Sequence, residues 1–291
     1  MDLRIYPYET IATMNEPEAI TIATNATVLT IAGSDPSGGA GMQADLKTFQ
    51  QMGCYGMSVV TLLTVQNTES VERVELMSVE LIQKQFRAAV ADIPPRMIKT
   101  GALGSEEIIR AVAQLIRDAE IPVVVDPVLV SKHGHRLADD DAMEAYIGEL
   151  MPLANIFTPN RFEAEAILNR KLDSLQSCAD AAAKLQSLGP QVVLLKAGEF
   201  DGQHHHMIAT GNEQVMGLSL ESLQSKDTHG AGCVLSAAIA ARLSLTVEDE
   251  VTLPLMEEAM RFAATSVHHA IEFAPELGQG IGPVEIRVIR E

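Results

Sequence analysis

From Val28 onward the chain alternates short β-branched runs with longer stretches whose apolar residues recur every three or four positions. The short runs predict strands at Val28–Ala32, Gly56–Val65, Met97–Thr100, Val123–Asp126, Ile156–Thr158 and Val192–Lys196. The longer ones predict helices at Gly41–Met52, Val79–Asp92, Glu106–Ala119, Asp139–Met151, Arg161–Leu168, Ala179–Leu188, Ala231–Leu243 and Met256–Glu272. His204–Ala209 and Gln214–Leu218 flank Thr210-Gly211-Asn212-Glu213 and read as a hairpin. Strands and helices that take turns in this way predict an α/β fold, a mostly parallel central sheet between two helical layers.

Composition narrows this picture. Of 291 residues, 47% are hydrophobic and only 4% aromatic, with no Trp, which predicts an aliphatic core. No linker divides the chain, so residues 27–291 read as one domain. Residues 1–26 lack the basic start and apolar run of a signal peptide and read as a flexible extension, with Met14 an alternative start. A formal charge of −18 argues against nucleic acid or an anionic membrane as partner. The three cysteines, Cys54, Cys178 and Cys233, have neither disulfide-framework nor zinc spacing, which fits a reducing cytoplasm.

Candidate chemistry collects where strands end. Thr228-His229-Gly230-Ala231-Gly232-Cys233 leads into a helix of small apolar residues. Such a turn gathers unpaired N–H groups at a helix start and makes an anion site, with a thiol whose pKa the helix dipole lowers. An ordinary Gly-started helix with a structural cysteine is the other reading. Gly33-Ser34-Asp35-Pro36-Ser37-Gly38-Gly39-Ala40-Gly41 follows the first strand and reads as a substrate loop. Its Gly39-Ala-Gly41-Met-Gln-Ala44 matches a dinucleotide fingerprint only in part, because Gly39 stands well past the strand and no acid follows at the right distance. Gln66 ends the second strand, where its carboxamide matches the N–C–NH₂ edge of an aminopyrimidine or simply faces water. Asn160 and Glu163, three apart, suit a hydrated Mg²⁺ or a helix-capping box. Asp126-Pro127-Val128 and the basic Lys132–Arg136 segment follow the central strand, as a cover over a site or as a solvated loop. Lys196 at a strand end is a phosphate contact or a surface ion pair. His204 and His206 share a strand face but no acid or thiol completes a metal set.

These pieces, in this order, resemble the hydroxymethylpyrimidine and phosphohydroxymethylpyrimidine kinases within the ribokinase-like family. The resemblance rests on Ala32–Phe49, Val65–Thr68, Asp126–Leu137, Thr158–Ala164 and Thr228–Ala237, and ends with Gly278-Gln-Gly280-Ile-Gly282-Pro283. It implies a ribokinase-like three-layer α/β/α sandwich, a homodimer, and ATP with Mg²⁺ phosphorylating a pyrimidine methanol of thiamine biosynthesis and then its monophosphate. It implies further that Gln66 holds the pyrimidine edge, with Gly33, Asp35, Ala40 and Val128 around it. Gly230, Ala231, Gly232 and Cys233 would form the anion hole, with Cys233 as base. Lys196, Thr228 and Lys132 would meet the nucleotide, and Asn160 and Glu163 would organise Mg²⁺ through water. Three positions depart from the family pattern: Ala102 in place of a Met, Lys196-Ala197-Gly198-Glu199 in place of Lys-Gly-Gly-His, and Ala231 in place of Thr. Ala102 and the Gly-Ala-Gly-Cys turn motivate a pyridoxine or pyridoxal kinase as the alternative, and a pyrimidine sensor without turnover is the non-enzymatic one.

Overall fold

The computed structural model describes residues 26–129, 139–211, 215–246 and 250–289. Nine strands form one sheet in the order β3-β2-β1-β4-β5-β6-β7-β8-β9. They are β1 (Thr27–Ser34), β2 (Tyr55–Gln66), β3 (Val71–Leu76), β4 (Met97–Thr100), β5 (Val123–Val125), β6 (Ile156–Phe157), β7 (Val192–Phe200), β8 (Gln203–Ala209) and β9 (Val215–Glu221). Strands β2, β1, β4, β5, β6 and β7 run parallel, while β3, β8 and β9 are antiparallel to their neighbours. One face packs against α2 (Val79–Asp92), α3 (Glu106–Ala119), α4 (Asp140–Ala145), α5 (Arg161–Leu168) and α6 (Leu175–Gln186). The other packs against α1 (Gly41–Gln51), α7 (Ala231–Leu245) and α8 (Leu253–Glu272).

Strand parity decides what faces the site. Leu29, Ile31, Ile98, Val125 and Leu195 point into the first core, so Thr30, Lys99, Asp126 and Lys196 fall on the α1/α7 side. The chain steps from β1 outward to β2 and returns to β4 on the opposite side of β1. The crevice at the carboxyl ends of β1 and β4 is therefore the switch point where open α/β sheets bind ligands.

The periodic pattern places most elements to within a few residues, and four differences have physical causes. β3 is entirely exposed, so it carries no buried alternation to reveal it. α6 starts at Leu175 rather than Ala179, because Ser174 and Ser177 form a capping box ahead of the apolar run. The helix expected over Asp139–Met151 is α-helical only to Ala145. It continues as a π-helical turn over Tyr146–Leu150 and a 3₁₀ turn over Met151–Leu153, where Pro152 cannot donate. Lys196 does not end its strand, since β7 runs on to Phe200. The β8–β9 hairpin forms as expected, with Gln214 outside the described residues. The extension 1–26, except Ala26, also lies outside them. Among the described residues no helix is long and apolar enough to cross a membrane.

Candidate active site

Helices α1, α7 and α8 begin without a side-chain cap, α8 with a proline in its first turn, whereas α2, α3, α4, α5 and α6 are capped by Ser78, Ser105, Asp139, Asn160 and Ser174. The starts of α1 and α7 meet. Gly230, the N-cap of α7, has φ +80°, and a Cβ there would lie 1.7 Å from the Gly39 carbonyl oxygen. The Ala231 N–H donates to the Thr228 carbonyl at 3.2 Å, which withdraws it from the set of amides expected to bind an anion. Among the described residues the Gly232 and Cys233 amides meet no acceptor, so they are left for a ligand.

Asp35 ties the loop after β1 to the loop before α7. Its Oδ1 accepts from the Ser37 N–H and hydroxyl at 2.9 and 2.7 Å. Its Oδ2 accepts from the Ala40 N–H at 2.8 Å and pairs with His229 Nε2 at 2.7 Å. Burial acts to raise its pKa, yet these hydrogen bonds, His229 foremost, hold the carboxyl well below the usual carboxylate range. With its lone pairs filled from within the protein, Asp35 shapes the loop instead of contacting substrate, which corrects the sequence expectation. His229 is clasped in turn by the terminal Gly-rich segment, through His229 N–H to the Gly282 carbonyl and Val284 N–H to the His229 carbonyl. The same segment reaches the turn beyond β2, with the Ile281 N–H donating to the Thr68 carbonyl at 2.9 Å.

The described strand ladders break register in three places: β1 at Ala32/Ser34, β2 at Val65/Gln66 and β7 at Lys196/Gly198. All three breaks fall at the site, beside Gly33, Gln66 and Lys196, where a bulge re-aims a side chain. A Cβ at Gly33 would stand 2.4 Å from Leu62 Cδ1, so Leu62 would have to shift to admit one. Gln66 is half-buried, and among the described residues its carboxamide has no hydrogen-bond partner. Ala40 and Val128 are half-buried nearby on the same sheet edge. Lys132 and the basic segment around it lie outside the described residues.

Asp126, one residue past β5, is the hub that sequence reasoning noticed only as a strand-end acid. Its Oδ1 accepts from Lys196 Nζ at 3.1 Å and Thr158 Oγ1 at 3.2 Å, and its Oδ2 from Ser236 Oγ at 3.2 Å. A Cβ on Gly232 would be 3.4 Å from Lys196 Nζ and 3.9 Å from Asp126 Oδ2, so acid, ammonium and the start of α7 converge. Lys196 is pushed above an ordinary ammonium: burial opposes this, but the Asp126 and Glu163 carboxylates outweigh it. Glu163 is pushed up to about 8 by burial and Asp126, against the pull of Lys196.

Asn160 and Glu163 form the capping box. The Asn160 N–H donates to Glu163 Oε2 at 2.7 Å, and the Glu163 N–H to Asn160 Oδ1 at 2.9 Å. The cap is thus realised, and the pair's part in holding an ion is limited to what a hydrated one needs. Among the described residues no three metal-ligating side chains cluster, and His204–His206 gathers no further ligand. Asp126 and Glu163 beside a single ammonium fit a Mg²⁺ that keeps most of its water.

Cys233 departs most from expectation. Its thiol was expected below a free thiol, and burial instead pushes it up to about 11. Lys99 and the Gly41 N–H pull it down, but Asp45 and Asp126 add to the burial. The helix start is present, yet burial of the thiol together with the Asp45 and Asp126 charges outweighs it.

Comparison with known proteins agrees with this geometry. Hydroxymethylpyrimidine/phosphomethylpyrimidine kinases of Streptomyces coelicolor and Rhizobium meliloti are 39% and 40% identical to this chain. Each alignment covers 89% of it, and 93% and 96% of the respective relative. The ADP complex of Bacillus subtilis pyridoxal kinase superposes with a TM-score of 0.81 at 32% identity, covering 90% of this chain and 97% of that one. The phosphomethylpyrimidine kinase of Clostridium difficile gives 0.73 at 39% identity, covering 84% and 99%. The family model of phosphomethylpyrimidine kinase matches residues 35–285, which span the starts of α1 and α7 and the Asp126 hub, and the chain belongs to that family.

Proposed function

We propose that this kinase uses ATP to phosphorylate 4-amino-5-hydroxymethyl-2-methylpyrimidine and then its monophosphate, in thiamine biosynthesis. The observation that carries the reading is the meeting of the α1 and α7 starts over Asp126 and Lys196. Transfer of a phosphoryl group needs donors where charge spreads over three oxygens and an acceptor for the hydroxyl proton. The Gly232 and Cys233 amides supply the donors, and Lys196 meets the nucleotide phosphates together with Thr228. Gln66 offers a donor and an acceptor side by side to the aminopyrimidine edge, within the pocket of Gly33, Ala40 and Val128. As the O–P bond forms and the bond to the ADP oxygen breaks, the hydroxyl proton leaves to an acceptor beside it, a part that Cys233 takes only through the small thiolate fraction its raised pKa leaves at neutral pH. Asp126, Glu163 and Asn160 would hold Mg²⁺ through water, and the ion would offset phosphate charge.

A second reading has its own support, because pyridoxal kinases superpose at least as well as the Clostridium difficile enzyme. Parallel kcat/KM measurements on the pyrimidine and on pyridoxal decide between them. A higher value for pyridoxal would overturn our reading, and pyrimidine binding with no ADP formed would leave only a sensor.

We infer a homodimer as well, from the flap of β2 and β3. Five of the ten exposed large apolar side chains among the described residues lie where the two strands pair: Leu63, Val65, Val71, Val74 and Leu76. Among the described residues Cys54, Cys178 and Cys233 form no disulfide, which supports a cytoplasmic setting.

A further inference from the structure

The terminal Gly-rich segment touches both halves of the site. The N–H groups of Gly280, Ile281 and Gly282, three in succession, all donate to other parts of the chain. The first two meet Thr68 in the turn between β2 and β3, at 3.2 Å to Oγ1 and 2.9 Å to the carbonyl oxygen. The third meets the buried Asp227 Oδ1 in the loop before α7, at 2.8 Å. The Gly282 carbonyl then accepts from the His229 N–H at 2.9 Å. Thr68 is two residues past Gln66, and His229 immediately precedes Gly230, the N-cap of α7. Neighbouring residues of one segment thus bind the end of β2 and the start of α7. Gly280 and Gly282 are needed for closeness, since neither is left-handed. A Cβ at Gly280 would stand 2.1 Å from the Thr68 carbonyl oxygen, and one at Gly282 would stand 2.5 Å from Asp227 Oδ1.

We propose that Gly280 and Thr68 are positioning residues for the pyrimidine: their contact fastens the Gln66 end of β2 at a set distance from the phosphate-binding start of α7. The inference rests on reading Gln66 as the group that holds the pyrimidine edge. Packing does little to hold the turn that carries Thr68, because every residue of β3 is exposed. The turn itself is closed by hydrogen bonds. Asn67 Oδ1 accepts from the Glu69 and Ser70 N–H groups, both at 2.9 Å, and the Asn67 N–H donates to the Ser70 carbonyl at 3.0 Å. A displacement at Thr68 is therefore passed on to Gln66. A pyrimidine held from β2 and a phosphate held from α7 are aligned only as well as those two elements are, and a misplacement of about 1 Å costs on the order of 10²-fold in rate.

Initial rates of ADP formation from ATP and the hydroxymethyl aminopyrimidine, measured on the full-length protein, separate this role from that of a brace. Gly280→Ala sets a methyl group against the Thr68 carbonyl oxygen. It should lower kcat/KM for the pyrimidine about tenfold or more, with KM for ATP within about twofold of the parent. In a Gln66→Ala background the same substitution should cost less than about threefold, since no carboxamide is left to place. A segment that only braced the fold would raise both KM values, or would cost as much without Gln66 as with it. Either result would overturn the proposal, as would a Gly280→Ala enzyme that matches the parent. Should Gly280→Ala fail to fold, Thr68→Val exchanges for a methyl only the hydroxyl that the Gly280 N–H meets. It should lower kcat/KM for the pyrimidine about threefold, and Thr68→Ser should restore it. Equal values for those two variants would overturn the inference. A Gln66→Ala enzyme with the parent's pyrimidine affinity would sink the reading of Gln66 and this inference with it. An impaired Gln66→Ala beside an unimpaired Gly280→Ala would sink the tether alone.

Discussion

Asp35 holds Ser37, Ala40 and His229 in one place, and its depressed pKa makes that function pH-dependent. The unfolded carboxyl titrates near 3.9. Because the folded value lies below it, the stabilisation is complete above that pH and is lost as pH falls through the folded value. Asp35→Asn should therefore melt lower than the parent at pH 7, with the gap narrowing below about pH 4. Melting temperatures measured from pH 7 to 3 check this, and a gap that stays constant would mean the charge is unimportant. Gln66 makes the complementary case, since among the described residues its carboxamide has no hydrogen-bond partner. Gln66→Ala should lose roughly 1–3 kcal/mol of pyrimidine binding with little change in melting temperature. Calorimetric affinity within about twofold of the parent would remove Gln66 from the site. Gln66 stands out in the sequence by its position at a strand end, and the affinity measurement decides its role. Sequence reasoning misjudged Asp35 because nothing in the local sequence reveals a partner 194 residues away.

At the scale of elements, periodicity was informative wherever a helix or strand has one buried face. The bounds of α2, α3, α5 and β4 follow directly from their patterns. Exposed β3 and the π-helical continuation of α4 were illegible, the first for want of burial and the second because a π turn keeps the apolar composition of the helix it interrupts. The start of α7 was legible as chemistry because two glycines in three residues are costly in a helix unless something approaches closely. Those two glycines do different things, and substitution separates them. Gly230→Ala must relieve a 1.7 Å approach to the Gly39 carbonyl at φ +80°, so it should lower stability by several kcal/mol or prevent folding. Gly232 carries no such strain, and an added Cβ would meet the Lys196 ammonium at 3.4 Å and Asp126 Oδ2 at 3.9 Å. Gly232→Ala should fold with a melting temperature near that of the parent, yet lose about 10²-fold or more in kcat because the methyl group stands among the donors. A Gly232→Ala enzyme of normal turnover would show that phosphate does not sit at this helix start.

Across the whole molecule, strand parity assembles the site. One face of β1, β4, β5 and β7 supplies Thr30, Lys99, Asp126 and Lys196, each separately readable from alternation but not from sequence as neighbours. The dimer we propose would draw on a different part of the sheet, the β2–β3 flap at its edge. Leu63 and Val65 alternate on one face of β2, opposite Glu75 and Arg73 of β3, while Val74 pairs with Thr64 on the other face. Apolar side chains about half exposed on both faces of a two-stranded flap leave it marginal in isolation, since such a hairpin needs a further layer. A second copy laid across it would supply that layer and bury the unpaired edge of β3. The parent should then sediment at twice the 31.3 kDa chain mass at tens of micromolar. Replacing Leu63 and Val74 together with Glu puts a carboxylate on each face and should return the mass to 31.3 kDa, with the α/β core still folded by circular dichroism. Because Gln66 ends the same strand, the monomer should also show a raised KM for the pyrimidine at a kcat closer to the parent's. A parent that sediments at the single-chain mass at that concentration would sink the dimer, and a monomeric double variant with unchanged KM would show that the flap assembles the enzyme without shaping its substrate pocket.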